Sequence, residues 1–222
     1  MAVKKAASTE QRISIKPPNF QTARFIIEGT SPFVQNKFSQ KAMEEMRANH
    51  VAGSTSRKNT KKEPKDFQAL YEGAKHKSEQ GWIGIPAPAF RNAMISACRT
   101  VGFKMTLAKL GVFVDADGFD AHDKTPLIKM TGEPEYFETL VRLADGSPDI
   151  RPRPMWKPGW KAEIRIKFDA DMFTVTDIAN LLMRVGQQVG IGEGRPDSKK
   201  SAGMGWGMFK IAEEPKEGGK KK

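Results

Sequence analysis

Gly190–Ile211 reads GIGEGRPDSKKSAGMGWGMFKI, and the placing of its glycines decides how the chain is organised. Gly190, Gly192 and Gly194 form one triplet and Gly203, Gly205 and Gly207 another, with a basic insert, Arg195 to Lys200, between them. Upstream, Ile178, Leu181, Leu182, Val185 and Val189 recur at the spacing of one helix face, with Thr176 placed to cap its start and Gly190 to end it. Downstream, Gly-Met-Gly-Trp-Gly-Met-Phe-Lys-Ile reads as a strand on which backbones approach closely. Helix, glycine loop, strand is the wrong order for a dinucleotide fingerprint, whose glycines follow a strand and open a helix. The stretch also lacks the Gly-Lys-Ser/Thr ending of a nucleoside-triphosphate loop. Two readings stand: a hairpin that merely turns the chain, or a loop whose amides, with Arg195, Lys199 and Lys200, meet a phosphate backbone.

The whole chain favours a polyanionic partner. It has 222 residues, a formal net charge of +11 and a pI near 9.7. Such a surface concentrates nucleic acid or acidic membrane, although a merely solvated basic surface has the same charge. The length suits one medium domain with insertions. The single cysteine, Cys98, rules out an intrachain disulfide and points to a reducing, cytoplasmic setting. It shares an apolar helical face with Phe90, Met94 and Val101, which reads as core. No apolar run has the length of a membrane span, and MAVKKAASTEQ at the start has no apolar signal stretch.

Residues 1–19 read as a flexible basic arm. Ala23, Phe25 and Ile27 alternate in a first strand that Gly29 and Pro32 end. Arg47 to Asp66 has six Lys or Arg against two acids, too polar to bury surface alone. It is either a solvated loop or one that orders on a phosphate backbone. A helix from Phe67 to Lys75 leads to a short strand ending at Pro86 and a helix from about Pro88 to Val101. Proline suits that first turn, and the free amides there make an anion site, with Arg91 and Arg99 off the apolar face. Leu110 to Val114 reads as a strand. Asp115, Asp117, Asp120 and Asp123 follow, but Gly118 is misplaced for a calcium loop, so an acidic turn is expected rather than a metal site. Tyr136 to Leu143 alternates, and Arg151 to Trp160 is basic, aromatic and stiffened by proline. Trp160, Ala162, Ile164, Ile166 and Phe168 then face one side of the clearest strand, with charges on the other. Residues 213–222 are a charged tail. The order of elements makes the chain α+β, an antiparallel sheet with helices on one face, compatible with a split βαβ core carrying two insertions.

Three stretches together resemble the RAMP superfamily, the RNA-recognition-motif-like backbone subunits of CRISPR effector complexes. They are the glycine stretch through Ser201-Ala-Gly-Met-Gly-Trp-Gly-Met-Phe, the segment Ile83-Gly-Ile-Pro86-Ala-Pro-Ala-Phe-Arg91-Asn-Ala-Met, and Phe25-Ile-Ile-Glu-Gly-Thr-Ser-Pro-Phe. Gly190 to Pro196 is also similar to an element of prophage proteins, which suggests a mobile-element origin. The resemblance implies a ferredoxin-like, RNA-recognition-motif-like domain over residues 20–212, with insertions at about 39–80 and 110–157. Ala87-Pro88-Ala89 departs from the family's hydroxyl-bearing helix start. Ser31 to Gln40 lacks the aspartate of target-cleaving members, which implies no such cleavage. RNA-processing members use a histidine, for which His50 and His76 are available.

The expected function is binding of single-stranded nucleic acid, RNA first and single-stranded DNA as the alternative, without catalysis, cofactor or metal. Copies are expected to assemble side by side into an oligomer or filament along the strand, with other effector subunits as further partners and no membrane. A metal-independent endoribonuclease using His50 or His76 is the enzyme alternative. Expected contacts are Asn36 and Lys37; Arg57, Lys58, Lys61, Lys62 and Lys65; Arg91 and Arg99; Arg151, Arg153 and Trp156. The glycine stretch adds Gly192, Gly194, Arg195, Lys199, Lys200, Gly203, Gly205 and Trp206.

Overall fold

The computed structural model describes residues 15–37, 40–52, 64–142, 146–198 and 203–212. Strands and helices follow one another as β1 (Phe20–Gly29), β2 (Phe33–Val34), α1 (Gln40–Ala52), α2 (Phe67–Gly73), β3 (Gly84–Pro86), α3 (Ala87–Ala97) and α4 (Met105–Gly111). Then come β4 (Val112–Val114), β5 (Gly118–Phe119), β6 (Pro126–Lys129), β7 (Glu135–Arg142), β8 (Pro148–Trp156), β9 (Lys161–Asp169), α5 (Val175–Arg184) and β10 (Phe209–Ile211).

The alternation in β9 organises the core. Ala162, Ile164, Ile166 and Phe168 are buried while Lys161, Glu163 and Lys167 are exposed. β1 lies antiparallel beside it, with Phe25 opposite Ile164 and Ile27 opposite Ala162. β10 and β4 complete a four-stranded antiparallel sheet in the order β10-β1-β9-β4. Phe90, Met94 and Ala97 of α3 and Ile178, Leu181 and Leu182 of α5 join the same buried cluster as the inward residues of β9. The molecule is thus mixed helix and antiparallel sheet. Two three-stranded sheets, β2-β8-β7 and β3-β6-β5, are added to it.

Several local expectations shift. α5 starts two residues before the expected Thr176: Thr174 is the cap, accepting from the Asp177 amide, while Asp177 accepts from the Thr174 amide in return. Leu110 belongs to α4, which the sequence did not suggest, and the strand begins at Val112. Val101 is half exposed in a short 3-10 turn after α3, although Cys98 is buried. The proline-stiffened segment is itself strand β8, paired along its length with β7. Among the described residues β2 pairs only with Met155 and Trp156, so most of the other edge of β8 carries no neighbouring strand, where sheets tolerate proline. The strand expected from Gly203 is confined to Phe209–Ile211. Residues 1–14, the segment 53–63 and the tail 213–222 lie outside the described residues.

The glycine stretch is instead a close backbone crossing. The Ile191 amide donates to the Gly207 carbonyl at 3.1 Å, and the Gly207 amide donates to Pro32 at 2.7 Å. A Cβ on Gly207 would stand 1.8 Å from the Ile191 oxygen, and the residue has φ +71°. A Cβ on Gly203, by contrast, would meet nothing within 4 Å among the described residues. Gly207→Ala should therefore cost about 1–3 kcal/mol from overpacking beyond the left-handed strain that the two sites share. Thermal unfolding of both alanine variants checks this: Gly207→Ala melts well below Gly203→Ala, and equal melting temperatures would refute the crossing.

Candidate functional site

A cleft of about 650 Å³ opens where the glycine loop meets three other parts of the chain. Phe33 to Asn36 form one side, Ile85, Pro86 and Ala89 the start of α3, and Thr139 to Val141 the face of β7. Gly192 to Arg195, Ser198, Met204 and Trp206 close it, and His76 also lines it.

The glycines set the shape of this cleft. Gly192 packs on Phe33 and Val34: a Cβ there would come 2.6 Å from the Val34 oxygen. The Glu193 amide donates to that same oxygen at 3.0 Å. Gly194 lies against the indole of Trp206, whose Cε3 a Cβ would meet at 2.4 Å. The Trp206 ring is half-buried and stands edge-on to Phe137 with centroids 5.8 Å apart. Arg195 donates from Nη1 to the Gly192 carbonyl at 3.0 Å, which ties its guanidinium to the loop. Among the described residues no side chain caps α3, whose N-cap is Pro86; Pro88 of its first turn has no N–H, and Ala89 of that turn lines the cleft. Thr139 Oγ1 is buried and has no hydrogen-bond partner among the described residues.

Behind the cleft lies a buried ionic cluster. Asp120 is fully buried and accepts from Lys37 Nζ at 2.5 Å and from the His122 amide at 2.9 Å, with His76 Nδ1 at 3.2 Å. Lys37 also reaches Asp123 at 3.7 Å. Burial would raise the Asp120 carboxyl, but the Lys37 and His122 hydrogen bonds outweigh it and hold the group below the usual carboxylate range. Burial, together with the Lys37 charge, holds His76 below its ordinary value against the pull of Asp120. Ligand atoms of His76, Asp120 and Asp123 lie within 4.8 Å of one another, a spacing that suits a metal ion. The Lys37 ammonium is already in contact with both carboxylates.

Asn36, Gly192, Gly194, Arg195 and Trp206 all line the cleft. Other expected contacts have partners within the protein, and the burial of Lys37, Arg153 and Trp156 corrects the expectation that these three are exposed contacts. Lys37 is the counter-ion of Asp120. Arg153 is buried and pairs with Glu193 at 2.6 Å, tying the glycine loop to β8. Trp156 is buried and donates its indole N–H to the Gly132 carbonyl, so it offers no stacking face. Arg91 donates to the carbonyls of Lys109 and Val112. Arg99 pairs with Asp197, while Lys65 and Arg151 both pair with Asp149; none of the three lines the cleft, although Arg151 stands opposite Thr139 on the neighbouring strand. Gly203 and Gly205 have positive φ but do not line it. Arg57, Lys58, Lys61, Lys62, Lys199 and Lys200 lie outside the described residues.

Gln35, Thr139 and Ser198 belong to the cleft and were missed by the sequence reading. Gln35 carried a weak signal, a polar residue following Phe33-Val34, and it is buried with its amide donating to Gly84. Thr139 carried none, because which face of β7 meets the cleft depends on the fold. A scan against protein-family models and a search of curated proteins found no match to this chain.

Asp120→Asn leaves the buried Lys37 only its longer contact with Asp123 and should cost up to about 3–5 kcal/mol in chemical unfolding. The double variant Lys37→Met/Asp120→Leu should recover part of that loss. In the wild type, His76 favours its neutral form when folded, so the unfolded chain takes up the proton first. Stability then declines as pH falls below about 6.5. Asp120, lowered in the fold, adds a second loss at more acid pH. A stability profile flat across both windows, or an Asp120→Asn variant as stable as wild type, would contradict this cluster.

Proposed function

We propose that this protein binds single-stranded nucleic acid with little sequence preference and that copies assemble side by side along the strand. The observation that carries the reading is the cleft itself, where the Trp206 ring, the Arg195 guanidinium and the uncapped start of α3 meet. Stacking faces, cations and open amides are what a sequence-tolerant single-strand site requires. The net charge of +11 supports a polyanionic ligand. We read β1-α3-β4-β9-α5-β10, in the sheet order β10-β1-β9-β4, as a ferredoxin-like, RNA-recognition-motif-like core, and the resemblance to RAMP proteins as part of the same reading. Leu140 and Ile150 face each other across the β7–β8 hairpin and are 71 % and 44 % exposed, which supports a neighbouring copy at that place. Among the described residues, no helix is long and apolar enough to cross a membrane.

One observation favours a second reading, a metal-independent endoribonuclease. His76 lines the cleft with Asp120 behind it, the arrangement of a general base and its orienting carboxylate. His50 is exposed on α1 and does not line the cleft. Appearance of cleaved RNA in a chelator-containing buffer, lost in His76→Ala, would move the protein to this reading.

Fluorescence anisotropy with a labelled single strand tests the binding reading. Trp206→Ala should weaken binding by about 1–3 kcal/mol, the worth of one stacked base. Arg195→Ala should reduce the salt slope by about 0.7, the release from one phosphate contact. Replacing Arg57, Lys58, Lys61 and Lys62 together by Gln should flatten it further, by about 0.7 for each contact made. Unaltered affinity in both cleft variants, at a normal melting temperature, would reject the cleft as the binding site.

A further inference from the structure

The His76 ring is fixed by what lies behind it. Asp120, ionised and fully buried, is an acceptor only, so the hydrogen bond at 3.2 Å places the imidazole proton on Nδ1. In the neutral ring Nε2 is then a bare lone pair, and it has no partner among the described residues. The backbone around it is pinned on both sides. The His76 amide donates to Gln35 Oε1 at 3.1 Å, the Gly84 amide donates to the His76 carbonyl at 3.0 Å, and Gln35 Nε2 donates to the Gly84 carbonyl at 2.7 Å. His76 lines the same cleft as Arg195 and Trp206, with the polar residues Asn36, Thr139, Glu193 and Ser198. It therefore brings a preset acceptor to a site that also holds a cation and an indole.

We propose that His76 Nε2 accepts a hydrogen bond from a ribose 2′-hydroxyl, so that the cleft selects RNA over DNA. This rests on the nucleic-acid reading above. A phosphodiester strand offers few donors to such an acceptor: its phosphates only accept, and deoxyribose within a strand has no hydroxyl. The donors left are the 2′-hydroxyl and the N–H groups of the bases. A base held by stacking on Trp206 is bound through its face, whatever its edge carries. The sugar between that base and a phosphate at Arg195 or the α3 start carries the donor common to every ribonucleotide.

The test uses the full chain and three fluorescein-labelled oligouridylates, with ribose, 2′-fluoro and 2′-deoxy sugars, and strand integrity checked on a gel. The 2′-fluoro form keeps the ribose pucker and loses the donor. Wild type should bind the ribose form about tenfold more tightly than either other form, the worth of one hydrogen bond to a desolvated acceptor. His76→Phe should bind all three alike, at the 2′-fluoro affinity of wild type. Equal wild-type affinity for the ribose and 2′-fluoro forms overturns the proposal, and that comparison needs no variant to fold. A preference for oligocytidylate over oligouridylate that persists with 2′-fluoro sugars also overturns it, because a base amine would then be the donor. Binding to none of the strands removes the nucleic-acid reading, and this inference with it.

Discussion

The backbone contact between Ile191 and Gly207 is the constraint on which the site depends. Both partners are main chain, so no side chain can be trimmed to relieve it and glycine is required. The Gly207 amide continues to Pro32, and the Thr30 amide donates to Met208, so the exit of β1 is stitched to the same crossing. From that point the chain runs through Gly192, pressed on Phe33, to Gly194 beneath Trp206. The cleft thus inherits its shape from backbone packing, which holds a position more firmly than a loop of free side chains would. Its indole and guanidinium are presented by that packed backbone.

The basic character of the chain divides into two uses. Lys37, Arg91 and Arg153 are spent internally, on a buried carboxylate, on carbonyls at the end of α4 and entry to β4, and on Glu193. Arg165 likewise joins Asp117 at 2.7 Å and donates to the Ala116 carbonyl. These residues contribute to net charge but hold the architecture around the cleft. Arg195 differs because its hydrogen bond to the Gly192 carbonyl uses one nitrogen of the guanidinium and leaves further N–H groups at the cleft. Overall charge therefore indicates a class of partner without identifying the residues that meet it.

What was legible in the sequence was periodic. β9 showed its two faces, α5 its apolar stripe, and the glycine stretch its place between α5 and the last strand, because each follows from near neighbours in the sequence. The less legible parts depend on distant residues. Trp156 looked like a stacking face beside Arg151 and Arg153, yet it lies in a strand whose alternation was masked by prolines, and it packs against Phe33. Lys37 looked like a loop cation, but its partner Asp120 is 83 positions away. The four aspartates read as one acidic turn, whereas Asp117 faces Arg165 and Asp120 faces Lys37. Charge pairing across such separations leaves no local trace, and it is this pairing that decides which polar residues are free to bind.

Between α5 and Gly190 the helix widens into a π turn over Val185–Val189, closed by the Gly190 amide on the Val185 carbonyl at 2.8 Å. Gly186 within it touches the Phe209 carbonyl, so the last strand rests on the widened turn. A π turn is an α-helix with one residue inserted, and each residue of an α-helix advances the chain by about 100°. Removing one residue here would restore a regular helix while rotating everything after it by that angle. Ile191 would leave Gly207 behind, and the loop would carry Arg195 and Trp206 to another side of the molecule. The spacing between α5 and the glycine loop is therefore a phase as well as a length, and related chains that bind in the same way should vary the residues of this turn far more readily than their number.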